Sequence, residues 1–286
     1  MVLGITNCRE EDIENVNVQI KKIQERIGEE NLHIFIFHDE DYNKCKSKYE
    51  NFINLVFQSE NKNKGTLYGR IKVINMIPAE LDNEYLVWLD SDDYIDIDIL
   101  LACIEKFKDY DYKTPFINAK CLWWKLARVG VYKEAIRTIR QYPGLRMRLA
   151  ECNIITAGLI DLCNRKKITC VCTGDGEYRY NWISYGGGYQ SFDISKNFDD
   201  TRIDNLRADL EDLAQWIIWR EIDKPGFDLD ADSCSHVYFD SMRNLRTLDK
   251  DRDKKIINRI NELVEDITKD MPDNYKSVIR SKLIIR

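Results

Sequence analysis

The chain contains few prolines, few histidines and no long uninterrupted run of apolar residues. It has 5 Pro and 3 His among 286 residues, and 44% of the residues are hydrophobic. A chain this apolar, with so few proline breaks, is expected to fold around a core. Nowhere do about 18 apolar residues follow one another, as a membrane-spanning helix requires. The N-terminus also lacks a charged segment followed by a long apolar one, so we expect a cytoplasmic protein with no membrane span.

Paired cysteine segments of the kind that bind zinc are absent too. The 9 cysteines are scattered along the chain, and no pair of C-x-x-C segments occurs. This usage is typical of a reducing compartment, in which cysteines stay as free thiols. Cys170 and Cys172 form a single C-x-C segment, for which we favour buried thiols over metal ligands.

An excess of positive charge is likewise missing. The formal net charge is -6, whereas proteins that bind a nucleic-acid backbone along their surface usually carry a strong positive excess. Basic residues accumulate only locally, between Lys125 and Arg148, beside Trp123 and Trp124. A solvated helix face is the simpler interpretation of this basic segment, and a surface for an anionic ligand is the alternative.

The first part of the chain alternates between apolar runs and helical patterns. The apolar runs predict strands, at residues 2–6, 32–37, 85–89 and 115–119. Apolar residues at helical spacing predict helices, at residues 11–26, 49–57, 70–77 and 98–107. Near-continuous apolar strands that alternate with helices predict an α/β fold, with a mostly parallel central sheet flanked by helices.

The pattern changes after residue 120. Residues 121–165 read as a basic, aromatic and helical insertion, and a strand-like stretch and a glycine-rich loop with Gly187 at its centre follow. A long helix is expected at 204–222 and a strand-like segment at 227–240. We therefore divide the chain into a first half, 1–120, a second half, 121–245, and a C-terminal helical segment, 246–286.

Acidic residues stand directly after two of the predicted strands. Asp90, Asp92 and Asp93 follow the run at 85–89, and a second acidic group at 39–41 follows the run at 32–37. In open parallel sheets the ligand lies outside the carboxyl ends of the strands, so both groups should line one crevice. Either these carboxylates face water, or they hold a cation. Oxygen ligands favour Mg²⁺ or Mn²⁺, which would neutralise a bound diphosphate.

Taken together, these elements resemble the nucleotide-sugar-binding half of family 2 type glycosyltransferases with the GT-A fold. The matching elements are Thr6 with Asn7, HDED at 38–41, GRIKVIN at 69–75 and LDSDD at 89–93. The resemblance implies a metal-dependent transfer of a sugar, a hexose in the first place, from a nucleoside diphosphate, UDP above all, to an acceptor hydroxyl. The first half would bind the nucleotide sugar, and the second half would bind the acceptor and carry catalysis, with inversion at the anomeric carbon.

The resemblance also implies a role for individual residues. The donor contacts would come from Thr6, Asn7, Asp39, Asp41, Arg70, Asp90, Ser91 and Gly187. The ligands of Mn²⁺ or Mg²⁺ would be Asp90, Asp92 and His236.

An inverting transfer also needs a base, because the acceptor hydroxyl must lose its proton as it attacks. Asp212 or Glu211 would be this base. The competing interpretations are a solvated helix face for the Glu211–Asp212 pair and a hydrogen-bonded strand histidine for His236.

Two other functions fit parts of the pattern. A phosphohydrolase of the haloacid dehalogenase type also places D-x-D after a buried strand, with the first Asp, here Asp90, as nucleophile. A non-catalytic nucleotide-sugar-binding module is the second alternative. The acceptor stays open among a glycan, a lipid-linked sugar, a protein and a modified nucleic-acid base.

Overall fold

The computed structural model describes residues 1–6, 8, 10–38, 45–60, 64–91, 94–108, 110, 113–118, 125–147, 151–169, 171–173, 203–223 and 232–285. Its strands are β1 (Val2–Thr6), β2 (His33–His38), β3 (Leu55–Ser59), β4 (Tyr85–Trp88), β5 (Phe116–Asn118), β6 (Lys125–Arg128) and β7 (Val171–Thr173). Its α-helices are α1 (Ile13–Ile27), α2 (Thr66–Met76), α3 (Ile97–Phe107), α4 (Val129–Ala135), α5 (Glu151–Lys166), α6 (Ile203–Ile218), α7 (Asp232–Arg246), α8 (Lys254–Thr268) and α9 (Asp273–Leu283). A π-helical turn, Trp219–Asp223, extends α6.

The strands described here form one mixed and mostly parallel sheet, in the order β3-β2-β1-β4-β6-β5-β7. Strand β1 lies parallel to β2 and to β4, and β2 lies parallel to β3. Among the strands described, β6 is the one that runs antiparallel to its neighbours. The chain thus moves outward from β1 to β3 and then returns to the other side of β1 to form β4, which makes the β1–β4 boundary a topological switch point.

Both faces of the sheet are covered because successive side chains of a strand point to opposite sides. Leu3 and Ile5 of β1 pack in one core with α1 and α3, while Val2 packs in the other core with α2 and the helices of the second half. In that second half α6 is central: it packs against α7, α8 and α9, and its Trp216 is almost completely buried.

The predicted α/β class and mostly parallel sheet are confirmed, but three local predictions were wrong. Residues 49–57 do not continue a helix, because β3 begins at Leu55 and pairs with β2. The segment 121–165 is not helical throughout, since it also contributes β6 to the sheet. The strand-like segment at 227–240 contains the start of α7. Among the helices described, none is long and apolar enough to cross a membrane.

Candidate functional site

The candidate site lies at the carboxyl ends of β1 and β4, where the strand order reverses. Gly4 of β1 pairs with Trp88 of β4, so Thr6 at the end of β1 lies beside Asp90 and Ser91, which come shortly after β4. Thr6 is 6% exposed, and its Oγ1 has no hydrogen-bond partner among the described residues. The crevice at a switch point is where open α/β sheets bind their ligands.

Arg70 holds the carboxylate of Asp90 at this edge. Its Nη2 donates to Oδ1 of Asp90 at 2.8 Å and to Oδ2 at 3.0 Å. The Arg70 side chain is 2% exposed, and its guanidinium lies over the Trp88 ring, 4.8 Å from the ring centre. The Asp90 side chain is 39% exposed. A buried cation therefore fixes this carboxylate, which stays partly exposed to solvent.

Ser91 ties the end of β4 to the start of α1. Its Oγ donates to Oδ2 of Asp12 at 3.1 Å, and its carbonyl accepts from Nδ2 of Asn15 at 3.0 Å. Sequence reasoning named Ser91 but missed Asp12 and Asn15. The signal available was a polar first turn in the helix that follows β1.

A neutral histidine lies beneath the edge at the end of β2. His38 is buried, its ring stacks on Phe57 at 5.4 Å, and its Nε2 lies 2.8 Å from the Tyr49 hydroxyl. Burial lowers the pKa of His38 to about 4, because the protonated ring would lose its hydration. Burial also raises the pKa of the Cys8 thiol to about 11, so Cys8 stays protonated and unreactive.

Two lysines surround a carboxylate just beyond β3. Lys72 and Lys64 form ion pairs with Glu60 at 2.7 and 2.9 Å, and the Tyr68 hydroxyl also donates to it. Hydrogen bonds from Lys72 and Lys64 lower the pKa of Glu60 to about 2. The sequence did not reveal this cluster, which keeps Glu60 ionised well below its usual titration range.

Glu211 and Asp212 lie on α6, and neither lies on a solvated face. Glu211 is 3% and Asp212 is 2% exposed. The Glu211 carboxylate accepts four hydrogen bonds: from N, Nε and Nη2 of Arg146 at 3.1, 2.6 and 3.3 Å, and from Nε of Arg207 at 2.9 Å. Both carboxylate oxygens of Glu211 are therefore occupied by hydrogen bonds, which join α6 to the segment around Arg146.

Part of the basic segment makes contacts within the molecule. Lys133 forms an ion pair with Asp82 at 2.6 Å, and Arg146 is the partner of Glu211. Lys133 and Arg146 thus serve the fold, whereas Arg137 and Arg140 of the same segment are exposed, as the solvated-face interpretation expects.

Several predicted residues lie outside the described ranges. These are Asn7, Asp39, Asp41, Asp92 and Gly187. His236 falls within α7 and not in a strand, and its side chain is not among those described. Within the described part of the chain, no three His, Cys, Asp or Glu side chains gather as a metal site would require.

Comparison with known proteins gives a fold-level likeness. No family model matches the chain, and no curated protein is similar to it in sequence. S. aureus TarS in complex with UDP-GlcNAc is similar in structure, with 12% identity, a TM-score of 0.48, and coverage of 99% of this chain and 84% of that one. Mannosyltransferase PcManGT from Pyrobaculum calidifontis, in complex with GDP-Man and Mn²⁺, gives 10% identity, a TM-score of 0.46, and coverage of 99% and 84%. The functional argument therefore rests on the site itself.

Proposed function

We propose that the protein is a glycosyltransferase of the GT-A type, which transfers a sugar from a nucleoside diphosphate, UDP in the first place, to an acceptor hydroxyl. The observation that carries the proposal is the Asp90 carboxylate, fixed by buried Arg70 at the topological switch point. Thr6 adds to the same edge a hydroxyl that has no hydrogen-bond partner among the described residues. This combination supports a polar ligand in the crevice where α/β sheets bind nucleotides.

In this proposal the donor lies across the ends of β1, β2 and β4. Thr6, Asn7, Asp39 or Asp41 and Ser91 contact the nucleoside, Gly187 approaches the donor from the second half, and Arg70 keeps Asp90 in position. The half-exposed oxygens of Asp90 fit a hard cation, so Asp90, Asp92 and His236 would hold Mn²⁺ or Mg²⁺. Such an ion, when bound, neutralises the diphosphate.

We assign the general base to Asp212 and not to Glu211. Four donors from Arg146 and Arg207 already occupy the oxygens of Glu211, which leaves no site for the acceptor proton. Asp212 would accept that proton as the acceptor oxygen attacks the anomeric carbon and the nucleoside diphosphate leaves, with inversion. The proposed donor sugar is a hexose, and the acceptor is a glycan, a lipid-linked sugar, a protein or a modified nucleic-acid base.

A phosphohydrolase reaction at Asp90 is less well supported. In that class the D-x-D follows the strand that opens the fold, whereas Asp90 comes after β4, behind three earlier strands. A non-catalytic module is tested by slow hydrolysis of the donor without an acceptor, which a pure binder would not show.

The decisive test is calorimetric titration of UDP with and without Mn²⁺. Asp90→Asn should lose most of the Mn²⁺-dependent affinity, because the neutral amide is a poor cation ligand. Asp98→Asn is the matched control, since Asp98 is an exposed carboxylate of α3 that pairs only with Arg26 at the surface among described residues. Equal affinity in Asp90→Asn and the parent would overturn the donor-site assignment. A panel of GDP-, CMP- and dTDP-sugars then identifies the nucleobase of the donor.

A further inference from the structure

A second cleft lies away from the sheet, between the π-helical end of α6 and the helices α7 and α9. It encloses about 590 Å³, within the range of small-molecule sites. We call it the basic cleft and define it by Arg220, Tyr238, Phe239, Arg243, Arg246 and Lys282. None of these residues belongs to the donor site described above.

The charge of the basic cleft is opposite to that of the whole chain. Its lining carries four cationic side chains and one carboxylate, Glu221, in a protein of net charge -6. Lys282 lies 3.3 Å from Glu221 and neutralises it. Arg246 is exposed and makes no ion pair with any described residue. Cationic side chains therefore outnumber carboxylates in the lining of this concave surface, which favours anions.

Aromatic rings fix one of these cations and line the entrance. The Arg220 guanidinium lies over Tyr238 at 5.1 Å and over Phe239 at 4.9 Å. Tyr238 is buried, whereas Phe239 is 49% exposed beside the arginines. A large apolar ring at the surface next to fixed cations offers a contact for the uncharged part of an anionic ligand.

We propose that the basic cleft binds a phosphate group whose carrier lies against Phe239. Guanidinium groups bind phosphate oxygens through paired, charge-assisted hydrogen bonds, and the cleft presents three of them together. The carrier is a small molecule or a lipid headgroup, because both offer a phosphate next to an uncharged part of this size. The proposal rests on charge and shape alone and does not depend on the proposed transferase activity.

The first experiment is calorimetric titration of inorganic pyrophosphate in EDTA, under which the acidic donor site holds no cation to attract it. Arg243→Gln/Arg246→Gln should bind at least about tenfold more weakly than the parent, since each lost charged hydrogen bond costs that much. Lys254→Gln/Lys255→Gln, which removes the same charge from the exposed start of α8, should bind like the parent. Thermal melts show that both variants are folded. No binding to the parent, or equal binding to the arginine variant, would overturn the proposal.

The second experiment identifies the carrier. Glucose 1-phosphate represents a soluble phosphate, and vesicles of phosphatidic acid in phosphatidylcholine represent a lipid headgroup, with pure phosphatidylcholine as reference. The parent should bind one of the two phosphate-bearing probes more tightly than pyrophosphate, and the better probe names the source. Phe239→Ala should remove this gain and weaken pyrophosphate binding far less than Arg243→Gln/Arg246→Gln does, because Tyr238 still holds Arg220. A variant that keeps the gain contradicts the role of Phe239, and failure of both probes contradicts the carrier.

Discussion

At the residue scale, the two adjacent carboxylates of α6 are both buried, and we propose different roles for them. Glu211 is held by Arg146 and Arg207, while Asp212 is the group we assign to proton transfer. We expect Asp212→Asn to reduce turnover by at least about a hundredfold, because loss of a positioned base usually costs about 10² to 10⁴ in rate. Donor affinity should stay within about threefold, since the base acts only as the bond forms.

Initial rates with a saturating UDP-sugar and calorimetry with UDP separate these two quantities. Glu211→Gln is the comparison at the neighbouring position; because its stability and donor affinity are also expected to fall, it is assayed with saturating donor and at a temperature at which it is fully folded. A Glu211→Gln variant without turnover beside an active Asp212→Asn would reverse the assignment.

The buried His38 should make the free energy of unfolding depend on pH. Its native pKa is about 4 against an ordinary value of 6.5, so between these values the unfolded chain binds more protons than the folded one. The free energy of unfolding should therefore rise with pH through this window, by at most about 3 kcal/mol from His38 alone, and be fully present above it. In His38→Phe, which keeps an aromatic ring against Phe57, that increment should vanish.

Urea unfolding of parent and variant at several pH values between about 4 and 7 measures the difference, in which the shared carboxylates cancel. Parallel curves for the two proteins would mean that the native His38 ring takes up protons as readily as in the unfolded chain.

At the element scale, the start of α2 depends on a glycine. Gly65 precedes α2 with φ +86°, and a Cβ there would lie 2.4 Å from the backbone N and O of Met147. Gly65→Ala should cost at least about 3 kcal/mol, because backbone strain adds to this collision. Gly144→Ala is the matched control, since Gly144 has φ +98° with nothing within 4 Å of the added carbon, and should show the strain of about 1–2 kcal/mol alone. Denaturant unfolding of both variants gives the difference between their losses of stability. Equal losses would mean that the backbone around Met147 moves away from the added carbon.

The same scale shows what the sequence could predict. Strands β1, β2 and β4 and helices α1 and α3 were predictable, because their apolar residues are local signals of period and length. Strand β3 was not, because its burial pattern comes from pairing with β2, a contact distant in sequence. Residues 227–240 alternate like a strand, yet packing against α5 and α6 makes the second part helical. The Arg70–Asp90 pair joins residues from two elements, so the sequence named both without revealing the bond.

At the scale of the whole molecule, one chain of contacts connects the two halves. Arg146 binds Glu211 of α6, and the next residue, Met147, exchanges backbone hydrogen bonds with Lys64 and Leu67 at the start of α2. Helix α2 in turn carries Arg70, which fixes Asp90. Arg207, which lies on α6, also binds Asp266 of α8. We therefore expect the position of Asp90, the carboxylate of the proposed donor site, to depend on contacts made by the helices of the second half.

Glu211 lies at the centre of these contacts, so its replacement should lower the stability of the whole protein. Glu211→Gln leaves Arg146, which is 21% exposed, without its charge partner, and removing one member of a buried ion pair typically costs about 3–5 kcal/mol. We expect a loss of about 3 kcal/mol, because Arg207 retains Asp266. Glu262→Gln breaks a pair at the surface of α8, where Glu262 is 66% exposed, and should cost less than about 1 kcal/mol.

Urea unfolding followed by tryptophan fluorescence reports both variants, since Trp88 lies in the sheet and Trp216 on α6. If the contacts couple the two halves, Glu211→Gln should unfold in a single transition, shifted to lower urea, and its Mn²⁺-dependent UDP affinity should fall although Glu211 touches no donor-site residue. This loss should be smaller than that of Asp90→Asn, because the carboxylate itself is retained. A stability loss with unchanged UDP affinity would confine Glu211 to the second half and leave Arg70 alone responsible for the position of Asp90.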